Sequence, residues 1–198
     1  MTPASLNSGS ARAQAAASQC EVPPERVINL QGDAPFISPT TIAALIDALR
    51  NGEADVATPV YQLDWERLDR LREHKKSAPF SGTTCVRDDA GRALGVSKSI
   101  VPAVRGEEEL REQPMSPVWQ HLGLYAYTME ALDWFGHAPQ GVYEKLEGLE
   151  QLRFLEHGRS IATVPVEPPQ HALSGIDTAH DLELAEEAIA RLGDPFDA

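Results

Sequence analysis

Cysteine is scarce in this chain, with two in 198 residues, Cys20 and Cys85. So few thiols, with no Cys-x-x-Cys pair, exclude a disulfide framework. A reduced compartment fits, and each cysteine reads as a small buried hydrophobe. Positive charge is also short: 17 Lys and Arg stand against 30 Asp and Glu, for a net charge of −13. General nucleic-acid binding needs basic patches, so this balance argues against it. An anionic ligand stays open, because a metal or a few local cations can hold one. Long apolar runs are missing too. No stretch approaches the roughly 18 residues of a membrane span. The opening MTPASLNSGSARAQAAASQC lacks the apolar core of a signal peptide. The expectation is a cytoplasmic protein with neither membrane nor nucleic acid as partner.

What is present is ordinary for a globular protein: 42% hydrophobic and 24% charged residues. The length suits one domain, 1–198, with a core of its own. SARAQAAASQC reads as a helix stopped by Pro23-Pro24. RVINLQ, 26–31, reads as a buried strand. Ser38 is a helix N-cap with Pro39 at the first helical position, and Ile42, Leu45, Ile46 and Leu49 follow at helical spacing up to Gly52. ADVATPVYQ, 54–62, is a second strand. Strand–helix–strand alternation indicates an α/β fold. Residues 64–76 read as a charged helix, 83–99 as a hairpin around Asp-Ala-Gly, and 106–117 as an acidic solvated loop. A strand at 121–128, a helix at 143–158 and a strand at 160–167 follow. A turn and helix over 174–193 close the chain. Leu146, Leu149, Leu152 and Leu155 form the apolar stripe of the 143–158 helix.

Three constellations carry chemistry. In INLQGDAPF, glycine permits a sharp turn and Pro35 stops the strand, so Asp33 falls at a carboxyl-terminal strand end. Ligands of open α/β sheets bind there. Asp177 of SGIDT stands just before a helix. Two such carboxylates can hold Mg²⁺, which keeps waters and borrows phosphate oxygens from a substrate. Equally, Asp177 reads as a helix cap and Asp33 as a turn residue. Glu147, Glu150 and Gln151 share a helix face by their spacing, either as hydroxyl-binding groups or as a solvated face. His121, Tyr125 and Tyr127 alternate along one expected strand and so point to one side. They line either a polar, sugar-sized pocket or an aromatic core.

Taken in order, MTPASLNSGSAR, VINLQGDAPFISP, ALGVSKSIVPA, HLGLYAYT, LEGLEQLRFLEHG and SGIDTAHDLELAE span nearly the whole chain. In these segments the chain resembles the bacterial 3-deoxy-manno-octulosonate cytidylyltransferases. The resemblance implies a three-layer, Rossmann-like α/β nucleotide-diphospho-sugar transferase fold with a mixed central sheet. It implies transfer of CMP from CTP to the anomeric hydroxyl of the acidic sugar Kdo, with release of pyrophosphate, for lipopolysaccharide or capsule synthesis. It implies a homodimer. Residue by residue, it places Mg²⁺ on Asp33 and Asp177. It places the sugar on Gln31, His121, Tyr125, Glu150 and Gln151. The nucleotide falls against Ser8, Gly9 and Arg12.

The pattern departs from the family in three places. The family's Gly-rich triphosphate loop, of the form PAR-x-x-S-x-R-[LF]-P-G-K-P, has no counterpart in these residues. The expectation is therefore an N-terminally incomplete domain with an unpaired sheet edge. Either the native start lies upstream, or the chain is a non-catalytic homologue that binds an acidic sugar or pairs with a full-length enzyme. The family's Ser-Gly-Thr-[DE]-Arg stands here as Ser8-Gly9-Ser10-Ala11-Arg12, and its Phe-Ser-Arg as Val96-Ser97-Lys98. Lysine keeps the charge but not the bidentate fork. An amino-Kdo or another ulosonate is therefore an alternative acceptor.

Overall fold

β2 (Val56–Asp64) is the axis of the fold. Its neighbour on one edge is β7 (Ile161–Pro165), which runs parallel to it. On the other edge lie β5 (Met115–His121) and β6 (Tyr125–Thr128), both antiparallel. β1 (Arg26–Asn29) extends the sheet beyond β6. The hairpin of β3 (Thr83–Arg87) and β4 (Ala93–Ser97) extends it beyond β5. The sheet is therefore mixed, as expected. The computed structural model describes residues 2–3, 5–6, 8–32, 36–52, 54–169 and 179–193.

Period-two alternation assigns the two faces of the sheet. Val56 and Val60 face α5 (Met129–His137) and α7 (Gln151–Glu156), where Leu132, Phe135 and Phe154 fill the core. Ala57, Leu124 and Ala126 face the other way, onto Leu45 and Leu49 of α2 (Pro39–Asn51). Tyr61, Leu63 and Val118 pack against Trp65, Leu68 and Leu71 of α3 (Trp65–Ser77). Helices thus cover both faces, giving three layers. α1 (Gly9–Ala17) lies beside α5 and β1. α8 (Ala179–Leu192) is the last described element. Ser38 caps α2 with Pro39 in its first turn, as its sequence predicts.

Several expectations need correcting. The single helix over 143–158 is two: α6 (Val142–Glu147) and α7, separated by Gly148 at φ +64°. Glycine adopts that left-handed backbone without a steric penalty and ends α6. Leu146 therefore leaves the stripe and is 71% exposed, while Leu149 and Leu152 are buried. The strand over 121–128 is also two. Between β5 and β6 the Leu124 amide donates to the Leu122 carbonyl at 2.7 Å, a tight turn at Gly123. The acidic loop contains a short helix, α4 (Glu107–Leu110), and its end already belongs to β5. Glu107 docks α4 on α3 through Arg72. Cys85 is buried as expected, but Cys20 is exposed, because it follows the end of α1. β1 is only half-buried: it ends the strand order among the described residues and pairs on one side.

Candidate active site

The break between β5 and β6 leaves His121 and Tyr125 on one side of the sheet, their ring centroids 5.2 Å apart. Both line a cavity of about 330 Å³, a volume at the lower end of small-molecule sites, roughly 300–1,000 Å³. The α6–α7 corner closes it with Glu150 and Gln151, and Gln31 enters from the end of β1. Five residues from three separated stretches of the chain, expected to bind one ligand, are thus brought together. Tyr127 turns away into the core, where its hydroxyl pairs with Ser10 Oγ at 2.7 Å. His121 and Tyr125 line the cavity, Tyr125 packing in the core as well, whereas Tyr127 lies in the core and not among the lining residues.

The cavity has unmet hydrogen-bonding capacity. His121 is 8% exposed and Gln151 4%. The Nε2 atom of each is buried with no partner among the described residues. Buried polar groups are nearly always paired, so a polar ligand is the natural complement. Burial, with Lys98 nearby, depresses the His121 pKa to about 3, so the imidazole is neutral at physiological pH. Burial likewise raises the Tyr125 hydroxyl far above its usual range. Neither ring can neutralise an anion. Lys98 can. It lines the same cavity, and its ammonium has no hydrogen-bond or ion-pair partner among the described residues. Burial pushes its pKa down, with Glu147 opposing.

Glu147 and Glu150 part company from the shared face that their spacing suggests. Glu147 accepts from Ser97 Oγ, at 2.9 and 3.0 Å, and from the Lys98 amide at 2.5 Å, fixing the backbone that carries Lys98. Glu150 reaches the first turn of α1 instead, accepting from the Gly9 and Ser10 amides. A second, more open cavity of about 640 Å³ lies on the other side of that turn. Gly9 and Arg12 line it, and Gln31 and Asn29 line both cavities. Ser8 is not among the lining residues: its Oγ caps α1 by accepting from the Ala11 amide at 3.1 Å. Asp33 and Asp177 lie outside the described residues. Among the described residues no group of three or more His, Cys, Asp or Glu is placed to hold a metal. Asn29, Ser10 and Thr83 also line the first cavity and were not singled out from the sequence. Asn29 stands two residues before Gln31, so strand alternation carried that signal.

Residues 1–161 match the family model described as cytidylyltransferase. The 3-deoxy-manno-octulosonate cytidylyltransferase of Maricaulis maris (strain MCS10) is 33% identical over 195 residues, covering 98% of this chain and 73% of its own. The chain belongs to the 3-deoxy-manno-octulosonate cytidylyltransferase family. The enzyme of that name from Rickettsia akari (strain Hartford) is 36% identical over 170 residues, 84% of this chain. The match covers 60% of the Rickettsia protein, so the chain spans well under its full length. A solved CMP:2-keto-3-deoxy-manno-octonic acid synthetase complexed with CTP superimposes with a TM-score of 0.78 at 28% identity. That superposition covers 94% of this chain and 70% of the other. The three-layer cytidylyltransferase fold expected from the sequence is the fold observed. No helix of the family domain described here is long and apolar enough to cross a membrane.

Proposed function

We propose that the chain is a CTP-dependent cytidylyltransferase that transfers CMP to the anomeric hydroxyl of 3-deoxy-manno-octulosonate. The observation that carries this is one cavity lined by the Lys98 ammonium and by two buried nitrogens, His121 Nε2 and Gln151 Nε2, none with a hydrogen-bond or ion-pair partner among the described residues. One cation and several neutral hydrogen-bonding groups, beside a Glu150 carboxylate already engaged by α1, suit a monoanionic, hydroxyl-rich sugar acid. The names of the relatives point to the same acceptor. The second cavity, with Gly9 and Arg12, suits the nucleotide. In the reaction the sugar's anomeric oxygen forms a bond to the α-phosphorus of CTP. The bond from that phosphorus to the bridging oxygen breaks, pyrophosphate leaves, and the hydroxyl proton is lost. With a pKa near 3, His121 is too weak a base to take that proton at neutral pH. Its role is to orient the sugar, with Tyr125 and Gln151, for in-line attack.

Mg²⁺ on Asp33 and Asp177 belongs to this proposal. A hard cation there would offset the charge of the triphosphate. The test is pyrophosphate release by the purified chain with CTP, Mg²⁺ and Kdo. Turnover is expected, and both EDTA and Asp33→Ala are expected to abolish it while circular dichroism stays unchanged. Full activity of Asp33→Ala would remove the metal role. Absence of turnover in the unmodified chain, with neither CTP nor Kdo bound, would remove the whole reading.

Lys98 supplies a second check. A hydrogen bond to a charged group is worth roughly 1.5–3 kcal/mol, so Lys98→Met should raise the KM for Kdo about 10- to 100-fold. Lys98→Arg should restore most of it. The cationic form binds the carboxylate, and burial lowers the Lys98 pKa. Sugar affinity should therefore hold at neutral pH and fall as pH rises through a value below the usual lysine range. An unchanged KM in Lys98→Met would separate the cation from the carboxylate. A homodimer acting in the cytoplasm completes the proposal. Val142, Tyr143 and Leu146, all on α6 and more than half exposed, support a partner surface.

A further inference from the structure

Family resemblance casts Glu150 as a ligand of the sugar, and it does line the first cavity, but both its carboxylate oxygens are engaged by α1. Its Oε1 accepts from the Gly9 amide at 3.0 Å and its Oε2 from the Ser10 amide at 3.1 Å. These are first-turn donors of α1, which the helix itself leaves without partners. Ser8 Oγ serves the next donor, Ala11. A carboxylate there also meets the positive end of the helix dipole. Ser10 Oγ bonded to Tyr127 Oη fixes the same turn against β6. Gly9 approaches β1 so closely that a Cβ would stand 2.9 Å from Asn29 Nδ2.

The turn held this way is the wall between the two cavities. Ser10 faces the first, whereas Gly9 and Arg12 face the second. Glu150 itself hangs from the α6–α7 corner, whose Gly148, Leu149 and Gln151 line the first cavity. A displacement of that corner pulls directly on α1, and so on Arg12, one helical turn along from Gly9.

We infer that Glu150 is a positioning residue that couples the two cavities. It fixes the first turn of α1 so that nucleotide binding beside Gly9 and Arg12 depends on the corner that closes on the sugar. This rests on the proposed assignment of nucleotide and sugar to the two cavities. The clamp itself rests only on the contacts above. The role differs from that of Gln151, which lines the first cavity and whose buried nitrogen has no partner among the described residues. It also gives a reason for Glu and Gln to stand side by side at this corner: one grips α1 while the other meets the ligand.

The test is Glu150→Gln in the full chain, which keeps the volume but replaces one acceptor oxygen with a donor. CTP and Kdo affinities are measured by calorimetry, each alone and each with the other present, beside amide exchange at Gly9 and Ser10. In the unmodified chain, Kdo should tighten CTP severalfold and CTP should tighten Kdo by the same factor, since coupling is reciprocal. In Glu150→Gln, CTP should bind about tenfold more weakly, Kdo alone should stay within about twofold, and the mutual tightening should vanish. Exchange at the two amides should rise about tenfold. Loss of Kdo affinity alone would make Glu150 a sugar ligand and overturn the inference. Equal loss of both ligands with a lower melting temperature would make the contact merely structural and also overturn it. If the unmodified chain binds neither ligand, the proposed function fails. Amide exchange that the substitution does not change would then show separately that the clamp is absent.

Discussion

Glu144→Ala should cost a large share of the fold's stability. Glu144 is 3% exposed and Arg153 is 8% exposed. The guanidinium grips both carboxylate oxygens, Nε to Oε2 at 2.7 Å and Nη2 to Oε1 at 2.6 Å. Its remaining nitrogen donates to the carbonyls of Phe135 and Ala138, and the group lies 3.8 Å from the Phe135 ring centroid. Removing the carboxylate strands a buried cation, which costs about 3–5 kcal/mol. Domains of this kind are stable by only about 5–15 kcal/mol. A urea titration should show the midpoint falling sharply at unchanged slope. The double variant Glu144→Leu with Arg153→Met should recover much of the loss, because it strands no charge. A single variant within about 1 kcal/mol of the unmodified chain would mean that solvent reaches the pair. The pair also matters to the site. It joins α6 to α7 and both to the end of α5, and so holds the corner that carries Glu150 and Gln151. Glu144→Ala should loosen that corner even where the chain stays folded.

The parts of this fold that sequence disclosed are those with local causes. Ser38-Pro39 announced α2 through cap chemistry, and Asp-Ala-Gly announced the β3–β4 turn. The side shared by His121 and Tyr125 survived a break in the strand, because the alternation of odd positions carried across the turn at Gly123. Three-residue leucine spacing misled at 143–158. It continues smoothly across Gly148, but only the backbone at φ +64° decides that α6 stops there. Contacts across the chain were not legible. Glu150 meets Ser10 over a separation of 140 residues, and no periodicity points to that pairing. Lys98 stood out in sequence only as a departure from a familiar pattern. Its importance comes from what surrounds it: two neutral rings, a Glu147 engaged by Ser97 and the Lys98 amide, and, among the described residues, no hydrogen-bond or ion-pair partner for its own ammonium.

Stability should also fall steadily as the solution is acidified from neutrality, with His121 as a main cause. The unfolded imidazole takes up a proton near its ordinary value of 6.5, whereas the folded one, buried beside Lys98, resists until about pH 3. Between those values the unfolded state binds the extra proton, so stability rises with pH across the window and is lost as pH falls through it. The contribution is fully present above about pH 6.5, and its slope is roughly 1.4 kcal/mol per pH unit below that. Glu107 acts in the same direction: Arg72, then Arg111, holds its carboxyl down to about 2. His121→Phe removes the first contribution and keeps the second. Urea midpoints at pH 7 and pH 5 should therefore differ strongly in the unmodified chain and much less in His121→Phe. Equal differences in the two proteins would mean that the folded imidazole titrates near its ordinary value. In that case the imidazole would become a cation in the first cavity below about pH 6.5, and in that acid range Lys98 would share the task of meeting an anionic ligand. The same titration that measures stability thus tests why the cavity needs its lysine.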